Sequence, residues 1–496
     1  MSEPSIYKST PYPHQVRELE DSRERKYWGL FWEMGLGKSK TTIDTIAHLY
    51  RTGQIKGAAI IAPKGVYRNW QDEEIPAHMP DDIPYHVVRW TSYQTKANKL
   101  LLDQMWRVKD KLKILLMNIE AIRTVKGGHY LETFLKYEKP NILIIDESHT
   151  IKTPSSKQGK TAVVLAKHAS YRRILTGTPV SQGPLDLYNQ LRFLAPYTLG
   201  YSSFFAFRNR FAVMQTRRLG PRTFNEIVGY KNLDELNKIL NKMGSRLKKE
   251  DCLDLPEKIY LKRAVTLTND QMNMYNSIRK DAVLMLTNAK NQGILTAPLA
   301  LTVLEKLHQI VCGHVKDDDG NVFPIENNRI DALLETIEEM EGQVVIWAGY
   351  VHNIKEIELA LGKKYGSDQV VTYYGGTSDE LRALAKARFK AKEVRFFVGN
   401  PSVGGYGLTL VTAANVIYYS NNYKLIDRIQ SEDRVHRIGQ TRPVTYVDLF
   451  VPSTVDEKIM RALRSKEDLA AKIVDNYQTL IGGEPGDWTI DQMDVG

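Results

Sequence analysis

Gly35-Leu36-Gly37-Lys38-Ser39, followed by Lys40-Thr41, lies between an apolar strand-like run, Tyr27 to Trp32, and a helix-like run, Thr42 to Tyr50. In such a place glycines let backbone N–H groups curl around phosphates, the Lys38 ammonium reaches the terminal phosphates, and the Ser39 hydroxyl is a magnesium ligand. Gly35, Gly37, Lys38 and Ser39 therefore predict ATP with Mg²⁺, although Trp32 stands where the strict form of this loop has glycine. A second signal is Asp146-Glu147-Ser148-His149, at the end of the apolar run Asn141 to Ile145. Asp146 would hold Mg²⁺, directly or through water, and Glu147 would orient and deprotonate the attacking water. Third, Leu175-Thr176-Gly177-Thr178-Pro179 also follows a strand-like run. Hydroxyls at Thr176 and Thr178 suit a relay between the acid pair and the rest of the chain. Fourth, Gln430, Arg434 and Arg437 in QSEDRVHRIGQ, on a helix expected to start near Leu425, are spaced by four and three, hence on one helical face. Paired guanidinium groups are suited to the charge on a transferring γ-phosphoryl group.

Positioning these groups requires open parallel sheets. The first half alternates short β-branched runs (Tyr27 to Trp32, Ala58 to Ala62, His86 to Trp90, Ile114 to Met117, Ile142 to Ile145, Arg173 to Leu175) with helix-period segments such as Ser92 to Val108. The second half repeats the pattern with Val344 to Trp347, Val370 to Tyr374, Val394 to Val398, Val416 to Tyr419 and Val444 to Phe450. This is an α/β chain with two doubly wound parallel-sheet lobes and helical insertions between them. The expected boundaries are 1–195 for the first lobe, 196–327 for a helical insertion and inter-lobe linker without regular strands, 328–480 for the second lobe, and 481–496 for an acidic tail. The helix expected over Val455 to Ile473 would support lobe two. No segment reads as a wedge or pin.

The 496 residues allow about three domains. Two cysteines, Cys252 and Cys312, cannot make a disulfide framework, and no stretch reads as a membrane span or signal peptide, so an intracellular protein is expected; a monomer is expected too. The excess of 68 Lys and Arg over 58 Asp and Glu, net +10, suits a polyanionic partner.

The strings EMGLGKS, DESH, LTGTP, GGYGLTL and EDRVHRIGQ, in this order, resemble the ATPase motor of superfamily two helicases, specifically the Swi/Snf-type double-stranded DNA translocases. Pro13-His14-Gln15, Ile60 to Trp70, Leu255-Pro256-Glu257-Lys258 with Gln271 and Tyr275, and Leu304 to His314 are similar to further segments of that branch, so the resemblance spans roughly residues 10 to 465. It implies two RecA-like lobes and a DNA-stimulated ATPase that moves on duplex DNA, remodelling protein–DNA complexes or branched DNA. It also implies adenine recognition by Gln15, a nucleotide contact at Gly407, and charge-stabilising fingers at Arg434 and Arg437. Coupling is implied at Thr176, Thr178 and Gln430, and DNA contacts at Lys64, Gly376 and Thr409. The chain departs from the branch at Ser39 for threonine, Ser148 for alanine or glycine, Thr409 for asparagine, and Ser181-Gln182 for glutamine-asparagine.

Two other classes use the same residues: a strand-separating DNA or RNA helicase, and a non-enzymatic nucleic-acid scaffold, against which Lys38, Glu147 and Arg437 speak. His308, Cys312 and His314 have ligand-like spacing but lack a second pair, which favours a packed helix over zinc. Phe204, Phe205, Phe207 and Phe211 are expected as core, as are Trp32 and Trp70.

Overall fold

The computed structural model describes residues 6–474, apart from 65, 93–94, 220–221, 292–296, 318 and 405–407. The tail expected over 481–496, and Gly407, lie outside the described residues.

Two parallel sheets organise two compact units, residues 6–213 with 228–254, and 255–467 with 214–227. In the first unit the strands are β1 (Tyr27–Trp32), β2 (Gly57–Ala62), β3 (Tyr85–Arg89), β4 (Leu112–Asn118), β5 (Asn141–Asp146), β6 (Tyr171–Leu175) and β7 (Gly244–Leu247). Their order is β3-β4-β2-β5-β6-β1-β7, and every neighbouring pair is parallel. Parallel pairing forces each connection across a face of the sheet, so both faces are covered. Alternate side chains accordingly enter different cores: Ala58, Ile60 and Ala62 of β2 pack on one side and Ala59 and Ile61 on the other. Ile142 and Ile144 of β5 follow the first set, Leu143 and Ile145 the second.

The second unit follows the same rule with β8 (Lys258–Ala264), β9 (Val344–Trp347), β10 (Val370–Tyr373), β11 (Phe396–Gly399), β12 (Asn415–Tyr418) and β13 (Val444–Phe450). Their order is β8-β13-β12-β9-β11-β10, again wholly parallel. Val344 and Ile346 enter one core, Val345 and Trp347 the other. The helix Val455–Val474 buries Val455, Ile459 and Leu463 in the first of these cores.

The stretch 196–327, expected to lack strands, contains several. Gly244–Leu247 extends sheet one beside β1, and Lys258–Ala264 extends sheet two beside β13. Neither has the buried alternation that announces a strand: GSRL carries one apolar residue, and β8 is an edge strand exposed at Tyr260 and Leu261. Pairing with a preformed neighbour, rather than intrinsic preference, makes them strands. Gly244 is part of that pairing, since a Cβ there would stand 2.4 Å from the Gly29 carbonyl oxygen. A separate two-stranded ribbon, Ala212–Leu219 with Arg222–Tyr230, and a short one, His314–Lys316 with Val322–Pro324, complete the correction. None of the described helices is long and apolar enough to cross a membrane.

Candidate functional site

Three of the four motifs leave the same edge of sheet one. Because β5, β6 and β1 are adjacent and parallel, the segments after their C-terminal ends, which carry DESH, LTGTP and GLGKS, emerge side by side. Gly35 and Gly37 take left-handed conformations at φ +84° and +80°, which bend the chain from β1 into the helix Lys38–Arg51. A side chain at Gly37 has no room, because a Cβ would lie 2.0 Å from the Gln15 amide nitrogen. Lys38 Nζ folds back over the loop and donates to the carbonyls of Trp32 at 2.8 Å and Glu33 at 3.2 Å. Ser39 occupies the first turn of the same helix, where backbone N–H groups lack acceptors within the helix.

Gln15 is buried on the helix Pro13–Ser22 and both ends of its amide are engaged. Nε2 donates to the Leu36 carbonyl at 3.1 Å, and Oε1 accepts from the Tyr12 N–H at 3.0 Å. His14 reaches the same carbonyl at 3.0 Å. The glutamine expected to read adenine is thus fastened to the loop that holds Gly35 and Gly37.

Asp146 is 8% exposed. Its Oδ1 accepts from the Glu147 N–H at 2.9 Å, and Oδ2 from the Trp70 indole at 2.9 Å. Burial, then the neighbouring Glu147 charge, push its carboxyl up to about 6, while Trp70 and the Lys38 charge pull the other way. Glu147 is held at φ +51°, an uncommon conformation for a residue with a side chain, and its Oε2 lies 3.2 Å from His149 Nδ1. Ser39 offers a hydroxyl and Asp146, with Glu147 adjacent, a carboxylate, both of them hard oxygen donors. This fits Mg²⁺, which takes few protein ligands and completes its shell with water and phosphate.

Thr176, fully buried, accepts the Thr178 N–H on its Oγ1 at 3.1 Å, and its own N–H donates to the Leu30 carbonyl of β1 at 3.1 Å. Thr178 Oγ1 is buried with no hydrogen-bond partner among the described residues.

Residues with no motif around them tie these segments together. Gln190, on the helix Leu187–Leu194 and fully buried, accepts from Ser148 Oγ at 2.7 Å and donates to the Pro179 carbonyl at 2.8 Å. It therefore joins DESH to LTGTP. Arg246 of β7 donates to the Phe31 carbonyl at 2.6 Å and the Gly177 carbonyl at 3.4 Å. Trp70, expected only as core, is fully buried and also orients Asp146. The helix of Gln190, LYNQLRFL, also carries Asn189 and Arg192, so no local signal in the sequence singles Gln190 out.

In the second unit the helix Leu425–Glu432 is shorter than expected. It ends before Arg434, where the N–H groups of Arg434 and Val435 bond three residues back, to Ser431 and Glu432. The Gln440 side chain then pulls the chain toward Val411, Ala413 and Val435 by donating to their carbonyls. Arg434 and Arg437 are therefore on turns and not on one helical face. They nevertheless converge: both donate to the Leu408 carbonyl, at 3.3 and 3.2 Å, and Arg437 also donates to Thr409 Oγ1 at 3.1 Å. Thr409, expected at the DNA backbone, is engaged by Arg437. Gln430 is buried, and its Nε2 has no partner among the described residues. Lys64 and Gly376 are both exposed.

His308, Cys312 and His314 belong to a packed network. His308 meets Tyr350 OH at 2.8 Å and Asp456 at 3.4 Å, and Arg329 pairs with the same carboxylate. Arg329 is the leading charge that holds Asp456 down at about 2 against the opposing effect of burial. No metal-holding group of three or more acidic, His or Cys side chains occurs among the described residues. Phe207 and Phe211 are core, packed on Tyr188 and Tyr201, whereas Phe205 is exposed.

The model of the SNF2-related domain matches residues 25–315, well over half the chain. The chain belongs to the SNF2-related family. The model of the helicase conserved C-terminal domain matches residues 328–439. A chromodomain-helicase-DNA-binding protein 1-like from Danio rerio is 26% identical over 89% of this chain and 41% of its own length. A DNA repair and recombination protein RAD54-like from Drosophila erecta is 24% identical over 90% of this chain and 60% of its own. This SNF2-family chain thus spans less than two thirds of the length of these relatives. A solved SWI2/SNF2 ATPase core of Sulfolobus solfataricus in complex with dsDNA shares 25% identity over 95% of this chain and 94% of that one, with a TM-score of 0.42.

Proposed function

We propose that this SNF2-family chain is a DNA-stimulated ATPase that converts ATP hydrolysis into movement along duplex DNA, remodelling protein–DNA complexes or branched DNA. The observation that carries it is the single sheet edge at which the Lys38 loop, the Asp146-Glu147 pair and the Thr176-Thr178 segment meet, cross-linked by Gln190. Lys38 would meet the terminal phosphates, and the first-turn N–H groups of its helix would cradle them. Mg²⁺, held by Ser39 and Asp146, would neutralise phosphate charge. Glu147 would take the proton of the attacking water. Arg434 and Arg437 would offset the charge that grows on the γ-phosphoryl group. Lys64, Gly376 and Thr409 are proposed to contact the DNA backbone, which gives affinity without sequence preference. Two relatives, a chromodomain-helicase-DNA-binding protein 1-like and a DNA repair and recombination protein RAD54-like, accord with this polymer.

The test is ATP turnover without polymer and with single-stranded DNA, duplex DNA or RNA, repeated with Glu147→Gln. The expected result is stimulation by duplex DNA and near loss of turnover in the variant with ATP binding kept. Stimulation by RNA alone, or undiminished turnover in Glu147→Gln, would contradict it.

A further inference from the structure

The two-stranded ribbon Ala212–Leu219/Arg222–Tyr230 belongs to neither parallel sheet. A two-stranded hairpin by itself is marginal in water, so a ribbon outside both sheets calls for a use. Its described residues 215–218 and 223–226 are exposed on both strands, so neither face of the ribbon is covered there. The ribbon, residues 212–230, holds three cations (Arg217, Arg218, Arg222) and one acid, Glu226. Three less one leaves +2 on nineteen residues, where the whole chain of 496 carries +10.

We propose that this ribbon is a groove-contacting arm for duplex DNA, separate from the motif residues that handle ATP. Antiparallel strands about 5 Å apart, bearing side chains, fit a major groove roughly 12 Å wide, and eight-residue strands reach about 26 Å. Arginine is the cation suited to paired phosphate oxygens. Arg217 now meets Glu226 at 2.5 Å with both side chains about half exposed, and such a surface pair contributes under ~1 kcal/mol, which a phosphate readily replaces. Exposed Phe224 adds an apolar surface beside these cations. The arm supplies ionic grip that does not depend on the nucleotide state of the ATP site.

This inference rests on duplex DNA being the polymer. Binding of a labelled duplex by the full chain should be followed from about 50 to 200 mM salt for wild type, Arg217→Gln/Arg218→Gln, and a chain with residues 215–226 replaced by a short Gly-Ser turn. Both variants should bind duplex several-fold more weakly at low salt, with the slope of log K against log salt reduced by about 1–2. Turnover without DNA should be unchanged, which shows that the lobes are intact. The double substitution lies wholly on exposed positions, so it carries the test if the replacement chain does not fold. An unchanged slope in the double variant overturns the proposal, as does an equal loss on single-stranded DNA, which would make the arm a general polyanion contact. If wild type binds duplex but its ATPase ignores it, the proposed function fails while the ribbon is still judged by the isotherms.

Discussion

The two lobes share an architecture but hold their chemistry differently. In sheet one the groups proposed to react stand on three neighbouring strand ends and are fixed by buried hydrogen bonds: Trp70 to Asp146, Ser148 to Gln190, Gln190 to Pro179. In the second lobe the arginines lie on irregular turns and lean on the Leu408 carbonyl and Thr409. A preorganised edge suits groups that must be aligned before reaction, since misplacement there costs rate directly. Guanidinium groups resting on carbonyl acceptors can be exchanged for phosphate oxygens, so the second arrangement suits groups that engage only when charge develops.

The sharpest way to break this contrast is to remove one group from each side. Glu147→Gln and Arg437→Ala should each lower kcat by about 10³-fold, with ATP still bound by the glutamine variant, measured by steady-state hydrolysis and nucleotide titration. A loss below tenfold for Arg437→Ala would remove the second lobe from the chemistry.

Next in size is the link between motifs. Gln190→Leu strands the Ser148 hydroxyl and the Pro179 carbonyl, each a cost of about 1–3 kcal/mol. DNA-stimulated turnover should fall about tenfold while ATP affinity stays near wild type. In a double-mutant cycle with Ser148→Ala the second change should cost little after the first. Additive losses would show that Gln190 is only packing.

Asp146 gives a pH signature. Its folded-state value, about 6, is raised above the ordinary aspartate range near 4, so its proton is held more tightly in the folded chain. The stability this provides is complete below about pH 4 and is lost as pH rises through 6, up to ~3 kcal/mol. Thermal unfolding should therefore show Asp146→Asn more stable than wild type at pH 8, with the advantage gone at pH 4. Magnesium-dependent ATP binding by wild type should run the opposite way and weaken below pH 6, because the cation needs the carboxylate. The smallest expected effect is Thr409→Ala, which removes one rest for Arg437 and one proposed backbone contact and should change kcat about two- to fivefold with a small loss of DNA affinity; an unchanged DNA affinity would leave Thr409 only its contact with Arg437.

Much of the first lobe was legible because its signals are local. Glycines at 35 and 37 announce left-handed turns, and Asp146-Glu147 after Asn141 to Ile145 announces a strand end bearing acids. Trp70 and Gln190 were not legible as positioning residues, because their partners lie 76 and 42 residues away in sequence. The helical face expected for Gln430, Arg434 and Arg437 failed because spacing does not report where Gln440 draws the chain out of the helix. Strands β7 and β8 were hidden because pairing, not apolar alternation, creates them.

The sequence by itself determined the two parallel-sheet lobes with apolar strands, the order of the motifs and the side-chain chemistry each one offers. These follow from periodicity and from residue types within a few positions of one another. Only the tertiary structure decided which carbonyls the arginines rest on, that one glutamine bridges two motifs, and that a charged ribbon stands outside both sheets. Those outcomes depend on hydrogen-bond and packing partners far along the chain, whose meeting the three-dimensional fold alone sets.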